Sequence, residues 1–390
     1  MDFEVGNNRE WTMKIKQILW SAAKGWEVHN DDGEAGAPSF ILYFSAPGLM
    51  NDGARHAELT GQFPGVPLIG CSTGGEILGP EIHDATITAT IVWLEKSQIH
   101  LAEHCINPNE DSTSIGSSLA AKLPQPGLRA VFVLSDGTQV NGSSLVEGLR
   151  LVLKESVIIT GGLAGDGADF KVTLVGCNSA PQSGIVAIIG FYGAELLIGH
   201  GSFGGWDRFG PERMITRSQG NVLYELDGEP ALDLYKRYLG DEAARLPASA
   251  LLFPLSVRPS LEDGGDVVRT IVGIDEEAKA MIFAGDVPQG YVGQLMRGNF
   301  DHLVEGAQNA AESANETTSR SLAILVSCIG RKLLMGQRVV EEVEVVSDVL
   351  GEDARLTGFY SYGEISPHGF TGKCQLHNQT MTITTISETC

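Results

Sequence analysis

Two short runs far apart in the chain are spelled almost alike: Gly70-Cys71-Ser72-Thr73-Gly74-Gly75-Glu76-Ile77 and Gly358-Phe359-Tyr360-Ser361-Tyr362-Gly363-Glu364-Ile365. Each reads Gly, two residues, a hydroxyl residue, one residue, then Gly-Glu-Ile. Each closes a stretch with strand and helix periodicity, and Leu322 to Ile365 replays Phe40 to Ile77 in order. Such a repeat restricts the chain to an internal duplication: an α/β fold of two related layered halves, each with a glycine-rich bend after a strand. Paired bends of this kind are suited to holding a ligand between halves.

The pattern along the chain predicts a first amphipathic helix over 10–26 (Trp11, Ile15, Ile18, Leu19, Ala22) and a polar, Gly-rich linker before Pro38. Strands are expected at Phe40 to Phe44, Val66 to Ile69, Thr86 to Leu94, Ala130 to Leu134 and Val157 to Thr160. Helices are expected at 52–61, 112–122 and 143–154. A buried hairpin is expected over 185–201, followed by a helix at 231–239, strands at 251–257 and 267–274, and a helix at 299–315. The strand 322–327, a helix over 335–350 and a last strand at 379–386 complete the pattern. The domains read as 1–37 (N-terminal helix and linker), 38–230 and 231–390.

A net charge of −22 argues against nucleic acid and against an anionic membrane surface. The apolar run Ser183 to Gly201 contains Glu195 and several glycines, which argues against a membrane span. Six scattered cysteines form no C-x-x-C pair and read as reduced thiols, and the first residues lack a signal-peptide pattern, so a cytoplasmic location is expected.

At the bends, glycines free backbone N–H groups to face a ligand. Gly70, Ser72, Thr73, Gly74 and Gly75 in one bend, and Gly358, Ser361 and Gly363 in the other, are therefore candidate ligand contacts. Glu76 and Glu364 recur at one place, either to grip a ligand amine or to cap donors in their own half. Tyr360 and Tyr362 can stack on a ligand or fill a core. The run 70–75 also resembles the nucleophile segment of chemoreceptor methylesterases, which would make Ser72 a nucleophile and the chain a hydrolase.

Both bends, the run Gly161-Gly162-Leu163-Ala164-Gly165-Asp166, the segment 220–232 and Leu376-His377-Asn378-Gln379-Thr380-Met381-Thr382 together resemble the FIST sensory family, as its N-terminal and C-terminal parts from about residue 38 onward. The resemblance implies a bacterial-type, non-enzymatic signal-transduction module that binds a small ligand. It adds Gly161 and Gly162 to the candidate contacts. One branch, the nitric oxide sensing proteins (NosP), consists of stand-alone chains of this size that bind haem b and regulate a partner histidine kinase or a cyclic-di-GMP enzyme. Haem needs an axial donor. His200, on a strand face with Leu196 and Ile198 and flanked by Gly199 and Gly201, is the first choice, with His368 and His377 in reserve and Tyr360 and Tyr362 beside them. The alternatives are a haem-free module for an amino acid or similar metabolite, and the Ser72 hydrolase.

Overall fold

A computed structural model describes residues 13–33, 36–246, 248–259, 265–316, 320–369 and 371–389. The α/β pattern is present, and the repeat goes further than the two bends: three copies of one unit interlock. In the first, the strands Phe40–Ser45 and Leu68–Ser72 are parallel and joined through the helix Ala54–Gln62; Ile87–Leu94 returns antiparallel beside the first strand. In the second, Leu128–Ser135, the helix Gly142–Val152, Ile158–Leu163 and Ile185–Tyr192 repeat that order. In the third, Ser321–Cys328, two short helices, Ala354–Ser361 and Met381–Glu388 repeat it again.

The first two units each lend strands to both of the others, and the third lends one to the second. After its bend, the first sends Glu76–Leu78 to pair with Ala354–Ser361 of the third. The second sends Val175–Cys177 to Leu68–Ser72, and the third sends Gly363–Pro367 to Ile158–Leu163. The strands that follow the antiparallel return also cross over: Gln98–Cys105 pairs with Ile185–Tyr192, and Leu196–Phe203 with Met381–Glu388. The matching place in the first sheet, beside Ile87–Leu94, is filled by Met13–Ser21. The inner faces of the three sheets close on one core containing Phe44, Phe132, Ile324 and Phe359, in which the rings of Phe44 and Phe359 stack at 4.7 Å. Burial of these side chains supplies the main favourable term, about 25 cal/mol per Å² of apolar surface.

Between Leu196–Phe203 and the helix Phe300–Ala314 lies an inserted antiparallel sheet with its own core of Ile215, Leu232, Tyr235, Leu255 and Phe283. Its strand order begins at Val267–Arg269 and ends at Ile271–Asp275. Only Thr270 separates those two strands, so the sheet curls until its edges approach one another, as a barrel does.

Several expectations give way. The strand over 267–274 breaks at Thr270 into two that lie at opposite ends of the inserted sheet, and that over 251–257 is strand only from Leu255. Residues 10–26 are not a helix: Met13–Ser21 and Gly25–Asp31 form an antiparallel hairpin, and Trp11 lies outside the described residues. Met13, Ile15, Gln17 and Ile18 are buried, with a register shift between Gln17 and Ile18 that moves the inward face by one residue. That slip turns alternation into the spacing of a helix. The strands within 185–201 exist but do not form a hairpin, since Ile185–Tyr192 and Leu196–Phe203 enter different sheets. The helix over 335–350 is interrupted: Ile329–Met335 ends at Gly336, whose φ of 56° needs glycine's freedom, and Val340–Leu350 begins after a single 3-10 turn.

Candidate functional site

The bends meet at the centre of the molecule and hydrogen-bond to one another. The Gly74 N–H donates to Tyr360 O at 2.8 Å, the Tyr360 N–H to Gly75 O at 2.9 Å, and the Gly165 N–H to Ser72 O at 2.9 Å. The Gly75 N–H donates to Thr73 Oγ1 at 3.2 Å. These donors are thus engaged within the protein. The glycines admit close backbone approach: a Cβ on Gly70, Gly161 or Gly358 would lie about 2 Å from the carbonyl oxygen of Tyr43, Val133 or Leu325, the same contact in all three units. Gly162 faces Val326, and Gly363 faces Leu376 and Leu163.

Glu76 and Glu364 are fully buried and occupy identical settings. Glu76 accepts from Thr73 Oγ1 at 2.6 Å and from the N–H and hydroxyl of Thr86. Glu364 accepts from Ser361 Oγ at 2.6 Å and from the N–H and hydroxyl of Thr380. Thr86 and Thr380 each directly precede the long antiparallel strand of their unit. In the second unit Gly184 holds that place, and its N–H donates at 2.7 Å to Asp136, which enters from the preceding strand end. Burial raises Glu76 to about 7 and Glu364 to about 8, partly offset by their hydroxyl donors. Burial acts on Asp136 too, but Gly184 N, Thr138 N and the hydroxyls of Thr173 and Thr138 overcome it and hold its carboxyl below the usual range.

The Ser72 hydroxyl is buried and accepts from the Leu174 N–H at 2.9 Å; among the described residues no histidine is hydrogen-bonded to it. Tyr360 is buried, donating to Glu342 at 2.9 Å, while Glu342 also pairs with the buried Arg331. His200 is half-buried, and burial lowers its pKa. The room left by Gly199 and Gly201 is filled from the other face of the strand, where a Cβ would strike the carbonyls of Ala314 and Ala310 on the packed helix.

Open space lies where the core meets the inserted sheet. A first cleft of about 340 Å³ is bounded on the core side by Gly137, Gln139, Asn141, Leu163, Phe170 and Tyr362, and on the inserted side by Asn221, Val272, Phe283 and Ala284. It therefore touches strand ends or bends of the second and third units. Phe170 and Tyr362 stack at 4.3 Å, and the Tyr362 hydroxyl donates to Asp166 and accepts from the Phe170 N–H at 3.2 Å. Asn141 caps the helix Gly142–Val152 and donates 2.7 Å across the boundary to Asp286. Gln139 uses its NH2 end on Asp136 and Ser183, and Asn221 uses its own on Phe283 O, leaving two amide oxygens with no donor among the described residues. No lining side chain carries a charge. A second cleft of about 480 Å³ brings His368 and His377 together, their rings 5.8 Å apart, beside Trp206 and Met296.

Of the residues singled out in the sequence, Tyr362 lines the first cleft and His368 and His377 the second. The remaining bend residues form the buried junction behind them. Asn221 lies in the segment 220–232 that carries part of the family resemblance, whereas Gln139, Asn141 and Phe283 belong to no motif of the sequence. The end of a strong strand at Ser135-Asp136-Gly137 was the available signal for Gln139 and Asn141; Phe283 gave none.

The family models for the FIST N domain and the FIST C domain match residues 39–229 and 231–367. The chain is 24% identical over 400 residues to a Methanocaldococcus jannaschii protein described as uncharacterized protein MJ1623, covering 90% of this chain and 74% of that one. A crystal structure of cyanuric acid hydrolase from A. caulinodans aligns over 97% of this chain and 99% of its own at 10% identity, with a TM-score of 0.36, too low to bear on fold or activity. Two adjoining matches that together span most of the sequence place the chain in the FIST family, whose domains are sensory, non-catalytic modules of signal transduction that bind small ligands such as amino acids.

Proposed function

We propose that the chain senses a small metabolite in the first cleft and reports its occupancy through the contact between core and inserted sheet to a separate signalling protein, a histidine kinase or a cyclic-di-GMP enzyme. One observation carries this reading: the cleft is walled by bends of the repeat on one side and by the inserted sheet on the other, so an occupant touches both bodies. A ligand that binds one arrangement of the two better than the other shifts their balance by its differential affinity. The two open amide oxygens favour a ligand presenting N–H donors, with an apolar body against Val272, Leu163 and Phe283. A panel of amino acids and their amides followed by thermal unfolding tests it. One member is expected to raise the midpoint, since 100-fold saturation adds about 3 kcal/mol. Ala284→Trp, which fills the cleft from the inserted side, is expected to abolish the rise. A rise that persists in that variant moves the site elsewhere.

A haem-based nitric oxide sensor is the second reading, favoured by the meeting of His368 and His377 at the larger cleft. The imidazoles fit haem poorly. His368 has Nε2 on Asp266 O and receives the Thr371 N–H at Nδ1. His377 has Nε2 on Ser366 O, so its free nitrogen is Nδ1, crowded by its own Cβ against a porphyrin face. Protein from haem-fed cells without a Soret band removes this reading; a band lost in His200→Ala, with His368 and His377 intact, restores His200 as the ligand.

A further inference from the structure

The second cleft has a chemistry of its own. Its walls are Trp206, Met296, Val267 and Val268, with Phe203 exposed at the rim. Nearly all its polar groups are engaged. The Trp206 indole N–H donates to Gln379 O at 3.0 Å, Thr380 Oγ1 to Glu364 at 3.0 Å, and the hydroxyls of Ser202 and Thr382 bond at 2.9 Å. The Asp266 carboxylate takes Arg208 at 2.8 Å and Ser256 at 3.0 Å.

One acceptor is left. His377 is 6% exposed and lines the cleft. Its Nε2 lies 3.1 Å from Ser366 O. A carbonyl only accepts, so the ring proton is on Nε2 and Nδ1 carries a lone pair. Among the described residues that lone pair meets no donor. Burial lowers the ring's pKa to about 3, so it stays neutral across physiological pH. Nδ1 is not among the buried atoms left without a partner, so it is reached from the cleft and can accept from an occupant there.

We infer that this cleft binds an uncharged aromatic or heteroaromatic molecule with one N–H or O–H donor, which it gives to Nδ1 of His377 while its ring packs between Trp206, Met296 and Val268. Among the described residues a charged ligand would meet no free counter-charge, because the Asp266 carboxylate at the wall is already paired. This site is independent of the first cleft.

Indole and 1-methylindole are matched probes, since the second keeps the ring and lacks the donor. Calorimetric titration is expected to show indole binding about fivefold or more tightly, the factor one net hydrogen bond provides. In protein labelled with 15N-histidine, the His377 Nδ1 resonance is expected to move upfield as indole saturates and to stay in place with 1-methylindole. Val268→Phe, which narrows the cleft and leaves His377 untouched, is expected to lose indole binding, whereas Ala284→Trp in the first cleft keeps it. Equal affinities for the two probes, an unmoved Nδ1 resonance at saturation, or no indole binding by the folded wild-type protein overturns the inference.

Discussion

At the scale of single residues, three buried carboxylates serve the same purpose: Glu76, Asp136 and Glu364 each receive the N–H that opens the long strand of their unit. Their consequences for pH differ. Glu76 and Glu364 hold protons more tightly folded than unfolded, with folded values near 7 and 8. From about pH 5 to 8 the native state therefore binds more protons than the unfolded chain, and stability falls as pH rises. A raised carboxyl contributes fully below its unfolded pKa and is lost through the folded one. Glu364→Gln keeps the shape and removes the titration. Its unfolding free energy in urea is expected to fall less than that of wild type between pH 6 and 8, by about 1.4 kcal/mol per pH unit at most. Parallel pH profiles of the two proteins would refute this. Asp136, held below the usual range, acts in the opposite sense: its contribution is present at neutral pH and disappears on acidification.

At the scale of elements, the close approach of paired strands rests on glycine. Gly358→Ala would place a Cβ about 2.0 Å from Leu325 O in the core of the third sheet. Backbone cannot yield as a side-chain tip does, so a loss of about 2–3 kcal/mol is expected in chemical unfolding; a change below about 0.5 kcal/mol, the size of an ordinary surface substitution, would show that the strands can part. These glycines were visible in the sequence as a repeated spelling, and their role was open: a glycine that frees an N–H for a ligand and one that makes room for a neighbouring carbonyl look alike on paper. The regular strands and most helices were legible too, because burial on one face leaves a period. What was not legible is partnership. The Ile185–Tyr192 and Leu196–Phe203 strands are adjacent in sequence, yet each pairs with chain remote from the other. The slip at Gln17 and Ile18 disguised a strand as a helix. His377 stood out as a histidine, but its free nitrogen follows from Ser366, eleven residues upstream and across a strand pair.

At the scale of the whole molecule, the two family segments share their sheets. Ile158–Leu163 pairs with Gly363–Pro367, and Glu76–Leu78 with Ala354–Ser361. A fragment ending at residue 230 would leave Leu68–Ser72 and Val175–Cys177 paired but strip Leu196–Phe203 of its partner and leave Glu76–Leu78 paired on one edge alone, with Glu81–His83. It is expected to be aggregated or unfolded, as read by size-exclusion chromatography and circular dichroism, because unpaired apolar strand edges invite association. A monomeric fragment with a cooperative unfolding transition would contradict the interlock. Met13–Ser21, by occupying the vacancy that the third unit leaves in the first sheet, turns a linear order of units into a closed one. Met13 sits opposite Leu94, and Glu388 accepts from the next two backbone N–H groups, those of Glu95 and Lys96, so the first and last described strands end side by side. For such a ring the starting residue is arbitrary: a circular permutant that links these ends and opens the chain between Asn107 and Asp111 should reach the same native state by a different order of synthesis.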